Sequence, residues 1–276
     1  MNASAATRLH CERSGRAAAA PLVLLHGWGM NLRVFDGVRE QLGAAHAVTA
    51  IDLPGHGRSP WNGECTAAQL LAQLMPCIPR AATLIGWSLG GQLALQLAQM
   101  PSLAVRGLVL IATSPRFVAS ADWPHAMPAA TLQRFAAQLA GNADQTVADF
   151  LELQLRGSAN APAVRASLQR ALRAHGHARP EALRVGLEML ARDDWRQLAR
   201  SLQVPALVIA GQYDRVTPPG AAAALAQLLP TARLIALRRA GHAPFLSHPQ
   251  ETAEALLAFL RADAAPVGSC DARPSA

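Results

Sequence analysis

The chain contains no lysine: all 25 of its basic residues are arginine. It has a single tyrosine in 276 residues and four cysteines, none of them in a CxxC pair. No apolar run approaches the roughly 18 residues that span a bilayer. Each scarcity removes a class of function. A membrane span is not expected, and MNASAATRLHCERSGR at the start lacks the apolar stretch of an export signal. Cys11, Cys65, Cys77 and Cys270 are therefore expected to be free thiols in a reducing, cytoplasmic setting. The formal net charge of +7 and a pI near 10.7 invite a nucleic-acid reading. One tyrosine offers little for base stacking, and no nucleic-acid module is recognisable. An alanine-rich, all-arginine composition follows from a GC-rich coding sequence, and arginine's high pKa inflates the pI. No nucleic-acid or membrane partner is expected.

What the chain does have is enough apolar material for a sizeable core, 51% of its residues. PLVLLHG (21–27), HAVTAIDLPG (46–55), AATLIGWS (81–88), RGLVLIAT (106–113), VPALVIAG (204–211) and ARLIALR (232–238) are continuous apolar runs. Such runs suit strands buried on both faces of a parallel sheet. Helical patterns lie between them at 33–42, 66–75, 89–100, 219–229 and 249–262. The alternation predicts an α/β, mostly parallel, doubly wound sheet, with TRLHCERSG as an antiparallel edge. Between about 117 and 196 the pattern is helical throughout, and strands resume after it. The expected division is a core of 1–116 and 197–262, a helical cap of 117–196, and a disordered tail at 263–276.

One short stretch carries the chemistry. Gly86-Trp87-Ser88-Leu89-Gly90 fits G-x-S-x-G, follows a strand and opens a helix, which is the context of a nucleophile elbow. The sharp turn needs residues without a Cβ on either side of the serine. A serine needs a base to take its proton, and the base needs an orienting acid. In chain order Ser, acid, His, the candidates are Ser88, Asp214 in IAGQYDRVTP and His242 in RRAGHAPFLSHP. Asp52, ahead of the serine, is expected to brace a loop, and Asp193 and Asp194 to be solvated. His26 is expected to shape the following loop through its backbone, His56 to sit in a turn, and His248 to cap a helix. His175 and His177 are close in sequence but lack a third ligand, so no metal and no cofactor are expected. Two backbone N–H donors are needed for the oxyanion. One is Leu89, after the nucleophile. The other is Trp28, in the loop HGWGMN that this fold places after its third strand.

LLHGWGMN, DLPGHGRS, GWSLGGQLALQLA, FLELQ and GHAPFLSHP together resemble the α/β-hydrolase family of pimeloyl-acyl-carrier-protein methyl ester esterases. The resemblance covers nearly the whole chain. HG-x-G, DLPGHG-S and the elbow are shared by many hydrolases, whereas Trp28, Trp87 and GHAPFLSHP are narrower. It implies hydrolysis of the methyl ester of a pimeloyl chain on acyl carrier protein, in biotin biosynthesis; a monomer is the default expectation. It also implies a substrate site of Trp28, Ser88, Leu89, His242 and the FLELQ stretch: Phe150, Leu151, Glu152, Leu153 and Gln154. Phe150, Leu153 and Gln154 share a helical face at i, i+3 and i+4, while Leu151 reads equally as plain cap packing. The acidic carrier would dock on an arginine-rich stretch: Arg156, Arg165, Arg170 and Arg173 lie in a segment without acidic residues. Asp144, Asp149 and Glu152 stand where family members can place arginines. A broad short-chain esterase or lactonase without a carrier fits the same triad, and a non-catalytic binding protein is the third alternative.

Overall fold

The computed structural model describes residues 8–63 and 66–264. Seven strands form one sheet: β1 (Cys11–Gly15), β2 (Pro21–Leu25), β3 (Ala47–Ile51), β4 (Thr83–Trp87), β5 (Gly107–Ile111), β6 (Ala206–Gly211) and β7 (Ala232–Leu237). Their spatial order is β1-β3-β2-β4-β5-β6-β7. β1 runs antiparallel to β3, and every other pairing is parallel. The central strands β4, β5 and β6 are buried at every residue. That burial explains their uninterrupted apolar runs, because both faces are covered by helices. β7 departs from the expectation of full burial. It has a neighbour on one side only, and Leu234 is 40% exposed.

A 3-10 turn at Leu32–Phe35 leads into α1 (Asp36–Gly43), and α2 (Ala67–Leu74) and α3 (Leu89–Ala98) follow in the first half. Thr66 and Gln69 form a reciprocal capping box at the start of α2. Five helices then separate β5 from β6: α4 (Ala129–Leu139), α5 (Ala143–Leu155), α6 (Ala161–His175), α7 (Pro180–Arg192) and α8 (Arg196–Ser201). Breaks in this run fall where the chemistry demands them. Asn142 caps α5 by accepting the Gln145 N–H, Gly176 leaves α6 at φ 91°, and Pro180 opens α7. α9 (Pro219–Leu228), α10 (Pro244–Ser247) and α11 (Pro249–Ala264) complete the chain. Among the described residues no helix is long and apolar enough to cross a membrane. Cys11 and Cys77 are free thiols; Cys65, Cys270 and the tail beyond Ala264 lie outside the described residues.

The strand order positions the site. The chain moves from β2 to β3 on one side and then crosses back to β4 on the other. The C-terminal ends of β2 and β4 thus flank a switch point, the place where open α/β sheets bind ligands. The HGWGMN loop leaves β2, the second strand in chain order among the described residues rather than the third, since the one described strand before it is the edge β1. The inserted helices close over this end of the sheet. Trp28 Nε1–H donates to Leu183 O at 2.8 Å, Asn31 Nδ2–H donates to Ala171 O and Gly176 O, and the Trp195 N–H donates to Pro115 O.

Candidate active site

Ser88 sits between β4 and α3 with φ 57° and ψ −118°. A non-glycine residue there is strained, and the surrounding backbone holds it. The Ser88 N–H donates to Ile111 O at 2.9 Å, and Ser88 O accepts the Gly91 N–H at 2.9 Å. The two flanking glycines are required by close approach. A Cβ on Gly86 would lie 2.4 Å from Gly90 O, and one on Gly90 would lie 2.1 Å from Leu25 O.

The structure brings Ser88, His242 and Asp214 into one chain of contacts. Ser88 Oγ is 2.9 Å from His242 Nε2, and His242 Nδ1 is 2.8 Å from Asp214 Oδ2. All three residues are at most 2% exposed. Asp214 cannot swing away. Its Oδ1 accepts the N–H groups of Val216 and Thr217, and its Oδ2 accepts the Thr217 hydroxyl at 2.6 Å. With the carboxylate fixed and acceptor-only, the Nδ1 proton faces Asp214, and Nε2 presents its lone pair to the serine O–H. A chain of this kind can draw a proton from a hydroxyl and return it to a leaving group.

Two positioning contacts were not among the sequence expectations. The Trp87 indole N–H donates to His242 O at 2.8 Å across 155 positions, and Thr217 steadies the acid. The first had no local signal. The second had a partial one, since an Asp side chain commonly accepts a backbone N–H two residues on, as Asp214 does from Val216. The Trp28 and Leu89 backbone N–H groups donate to no group among the described residues. His26 accepts the Leu53 N–H at Nε2 and donates from Nδ1 to Gly27 O at 2.8 Å, in keeping with the loop-shaping expectation. Burial holds His26 below the usual histidine range and drives His56 down to about 3, so both rings are neutral.

The FLELQ residues divide. Phe150 is buried edge-on to Trp28 with ring centroids 4.9 Å apart, and Leu151 and Gln154 are also buried. Gln154 O accepts the His242 N–H at 3.4 Å. Leu153 is only half-buried, and Glu152 is exposed, apart from the buried members of the stretch. The Glu152 carboxylate grips Arg165 through two hydrogen bonds of 2.8 and 2.6 Å. The helix presents Phe150, Leu151, Gln154 and Leu155 inward because α5 is packed between α4 and α6. The same pair takes Arg165 out of the set of free arginines, whereas Arg156, Arg170 and Arg173 are exposed. Asp193 and Asp194 are not the simple solvated charges expected. Asp193 is half-buried, which raises its carboxyl, and Asp194 binds Arg196 and Arg116, which lower it to about 2.

His175 and His177 face different ways. His177 meets Asp144 at the surface, while His175 Nε2 reaches buried Asp52 at 2.7 Å. His10, Asp52 and His175 hold donor atoms within 4.8 Å of one another, a set of metal-ligating types. Asp52 is already engaged there by two backbone N–H groups and by His175.

Comparison with known proteins agrees with this fold. Residues 20–249 match the model of the alpha/beta hydrolase fold family. A pimeloyl-acyl-carrier-protein methyl ester esterase of Chromobacterium violaceum is 41% identical over 88% of this chain and 95% of its own. One of the same name from Nitrosomonas europaea is 39% identical over 88% and 96%. The chain belongs to the α/β-hydrolase family, in its pimeloyl-acyl-carrier-protein methyl ester esterase branch. An esterase of Exiguobacterium antarcticum superposes on this hydrolase with a TM-score of 0.81 at 20% identity, covering 92% of this chain and 95% of its own. At that identity the likeness speaks for the fold alone.

Proposed function

We propose that this hydrolase cleaves the methyl ester of a pimeloyl group carried on acyl carrier protein, with Ser88 as nucleophile, His242 as general base and acid, and Asp214 as its orienting acid. The observation that carries the reading is the buried Ser88–His242–Asp214 relay, with contacts of 2.9 and 2.8 Å. The substrate follows from the relatives' names. His242 Nε2 takes the Ser88 proton as Oγ attacks the ester carbonyl. The Trp28 and Leu89 N–H groups receive the oxyanion, and one such donor contributes about 3 kcal/mol to the transition state. Collapse of the intermediate expels methanol, protonated by His242. Water, deprotonated by His242, then attacks the acyl-enzyme and releases Ser88 and the pimeloyl carboxylate.

Residues 117–196 serve as the cap over a core of 1–116 and 197–262. Phe150, Leu151 and Gln154 line the acyl site beside Trp28, with Leu153 at its margin. Arg156, Arg170 and Arg173 offer the acidic carrier an electropositive face, and Arg165 joins them only if Glu152 releases it. A carrier-independent esterase is the second reading, and one observation favours it. The groove of about 200 Å³ between α5 and α6 sets Asp144, Asp149 and Glu152 against Arg165 and His177, and this acidic excess disfavours an acidic partner.

The two readings separate in one experiment. Purified protein is assayed on pimeloyl-carrier-protein methyl ester and on p-nitrophenyl butyrate, each at low and moderate salt, with Ser88→Ala as the blank. The carrier reading requires a far larger kcat/KM on the carrier substrate, falling as salt rises. Turnover of the small ester alone would transfer the protein to the carrier-independent esterases.

A further inference from the structure

The Asp52 carboxylate joins three segments that are distant in sequence. Its Oδ1 accepts the Leu32 N–H at 2.8 Å, and its Oδ2 accepts the Arg58 N–H at 2.9 Å and the His175 Nε2–H at 2.7 Å. Both side chains are fully buried. His175 is the last residue of α6, so this contact ties the insertion to the core. The tie continues toward Ser88. Leu53, next to Asp52, donates its N–H to His26 Nε2 at 3.0 Å, and His26 donates to Gly27 O at 2.8 Å. Gly27 O and the Trp28 N–H belong to one planar peptide unit and point in opposite directions. Holding the oxygen therefore aims the N–H. At the far end of the same loop, Asn31 Nδ2–H donates to Ala171 O at 3.1 Å and Gly176 O at 2.9 Å, around the C-terminal end of α6.

We propose that His175 is a positioning residue for hydrolysis: its bond to Asp52 locks the end of α6 and the Gly27–Asn31 loop into one unit, so that the Trp28 N–H is aimed only while the insertion is seated. An apolar ring would fill the same space without stranding a polar atom. His175 Nδ1 is buried and has no partner, so the imidazole is explained by the one bond it makes. His10 lies beside it, with ring centroids 5.1 Å apart, and packs the outer side of the junction. The inference rests on the reading of the Trp28 N–H as an oxyanion donor.

The test measures p-nitrophenyl butyrate kinetics and amide hydrogen exchange on wild type, His175→Ala, His175→Gln and His177→Ala. His175→Ala lowers kcat on the order of 10- to 100-fold at nearly constant KM. Exchange at residues 27–32 and at the end of α6 speeds up together. His175→Gln, whose amide N–H can reach Asp52, recovers most of both. His177→Ala, altered two residues away at the surface, matches wild type. An unchanged kcat per folded molecule in His175→Ala overturns the proposal, as does loosening of α6 with residues 27–32 unaffected. If wild type shows no Ser88-dependent turnover of this ester, the same variants are assayed on pimeloyl-carrier-protein methyl ester; turnover of neither ester overturns the hydrolase reading, while the exchange comparison still decides whether the two segments are locked.

Discussion

At the scale of single residues, the acid is the assignment most open to a contest, because two buried aspartates each hold a histidine. Asp214 accepts His242 Nδ1–H at 2.8 Å, and Asp52 accepts His175 Nε2–H at 2.7 Å. Only the first histidine touches the serine. Asp214→Asn would leave the packing intact and offer an amide N–H to His242, favouring the wrong tautomer. The expected loss in kcat is about 10⁴-fold, with the unfolding midpoint in urea nearly unchanged. Asp52→Asn is expected to give a smaller kinetic loss accompanied by a lower unfolding midpoint, because it weakens contacts to Leu32, Arg58 and His175. Equal kinetic losses at unchanged stability would mean that Asp214 had been misassigned. The Ser88–His242–Asp214 contact chain was legible in the sequence because each member stands just past an apolar strand run, in the chain order serine, acid, histidine. The glycines of the elbow were legible for a steric reason, visible as the 2.1 Å approach of a Gly90 Cβ to Leu25 O. Trp87 was not. Its N–H finds His242 O only through the crossing of β4 and the loop after β7, which no local pattern encodes.

At the scale of elements, helix faces were read less well than strands. A central strand needs only to be apolar. A surface helix must also choose which 100° arc to bury, and that choice belongs to its neighbours. On α5 the arc taken is Phe150, Leu151, Gln154 and Leu155, which turns Glu152 outward toward Arg165 on α6. The α5–α6 surface therefore carries a bound acid–base pair in the middle of the proposed docking face. Two substitutions follow from that arrangement. Replacing Arg156, Arg170 and Arg173 together with Glu is expected to raise KM for the carrier substrate about tenfold or more at low salt, with p-nitrophenyl butyrate unaffected. Glu152→Gln frees Arg165 and removes one repulsive charge, so it is expected to lower the same KM. Loss on both substrates in the triple variant would indicate a disturbed insertion, and an unchanged KM in both variants would place the carrier elsewhere.

At the scale of the whole molecule, the core–insertion junction is where buried titratable groups accumulate. His26 and His56 lie with ring centroids 5.2 Å apart beneath the inserted helices, and burial lowers both. A histidine whose folded pKa lies below its unfolded value of about 6.5 binds fewer protons folded than unfolded. Stability is then complete above about pH 6.5 and declines as the pH falls toward about 3, the value for His56. Asp194 acts in a different window. Its lowered carboxyl, held first by Arg196, contributes above about pH 4 and is lost only as the pH falls through about 2. Between pH 6 and 4.5 the histidines should therefore dominate. Each neutral buried histidine steepens the fall in unfolding free energy by at most about 1.4 kcal/mol per pH unit. Urea unfolding across that range checks this with His56→Asn, whose side-chain N–H can still reach Pro54 O, the present partner of His56 Nδ1. The variant is expected to be less stable at pH 7, because Asn fills less of the site, yet to lose less stability on acidification than wild type. Parallel pH dependence in the two proteins would show that the junction tolerates a charged His56 and that acid sensitivity arises elsewhere in the fold.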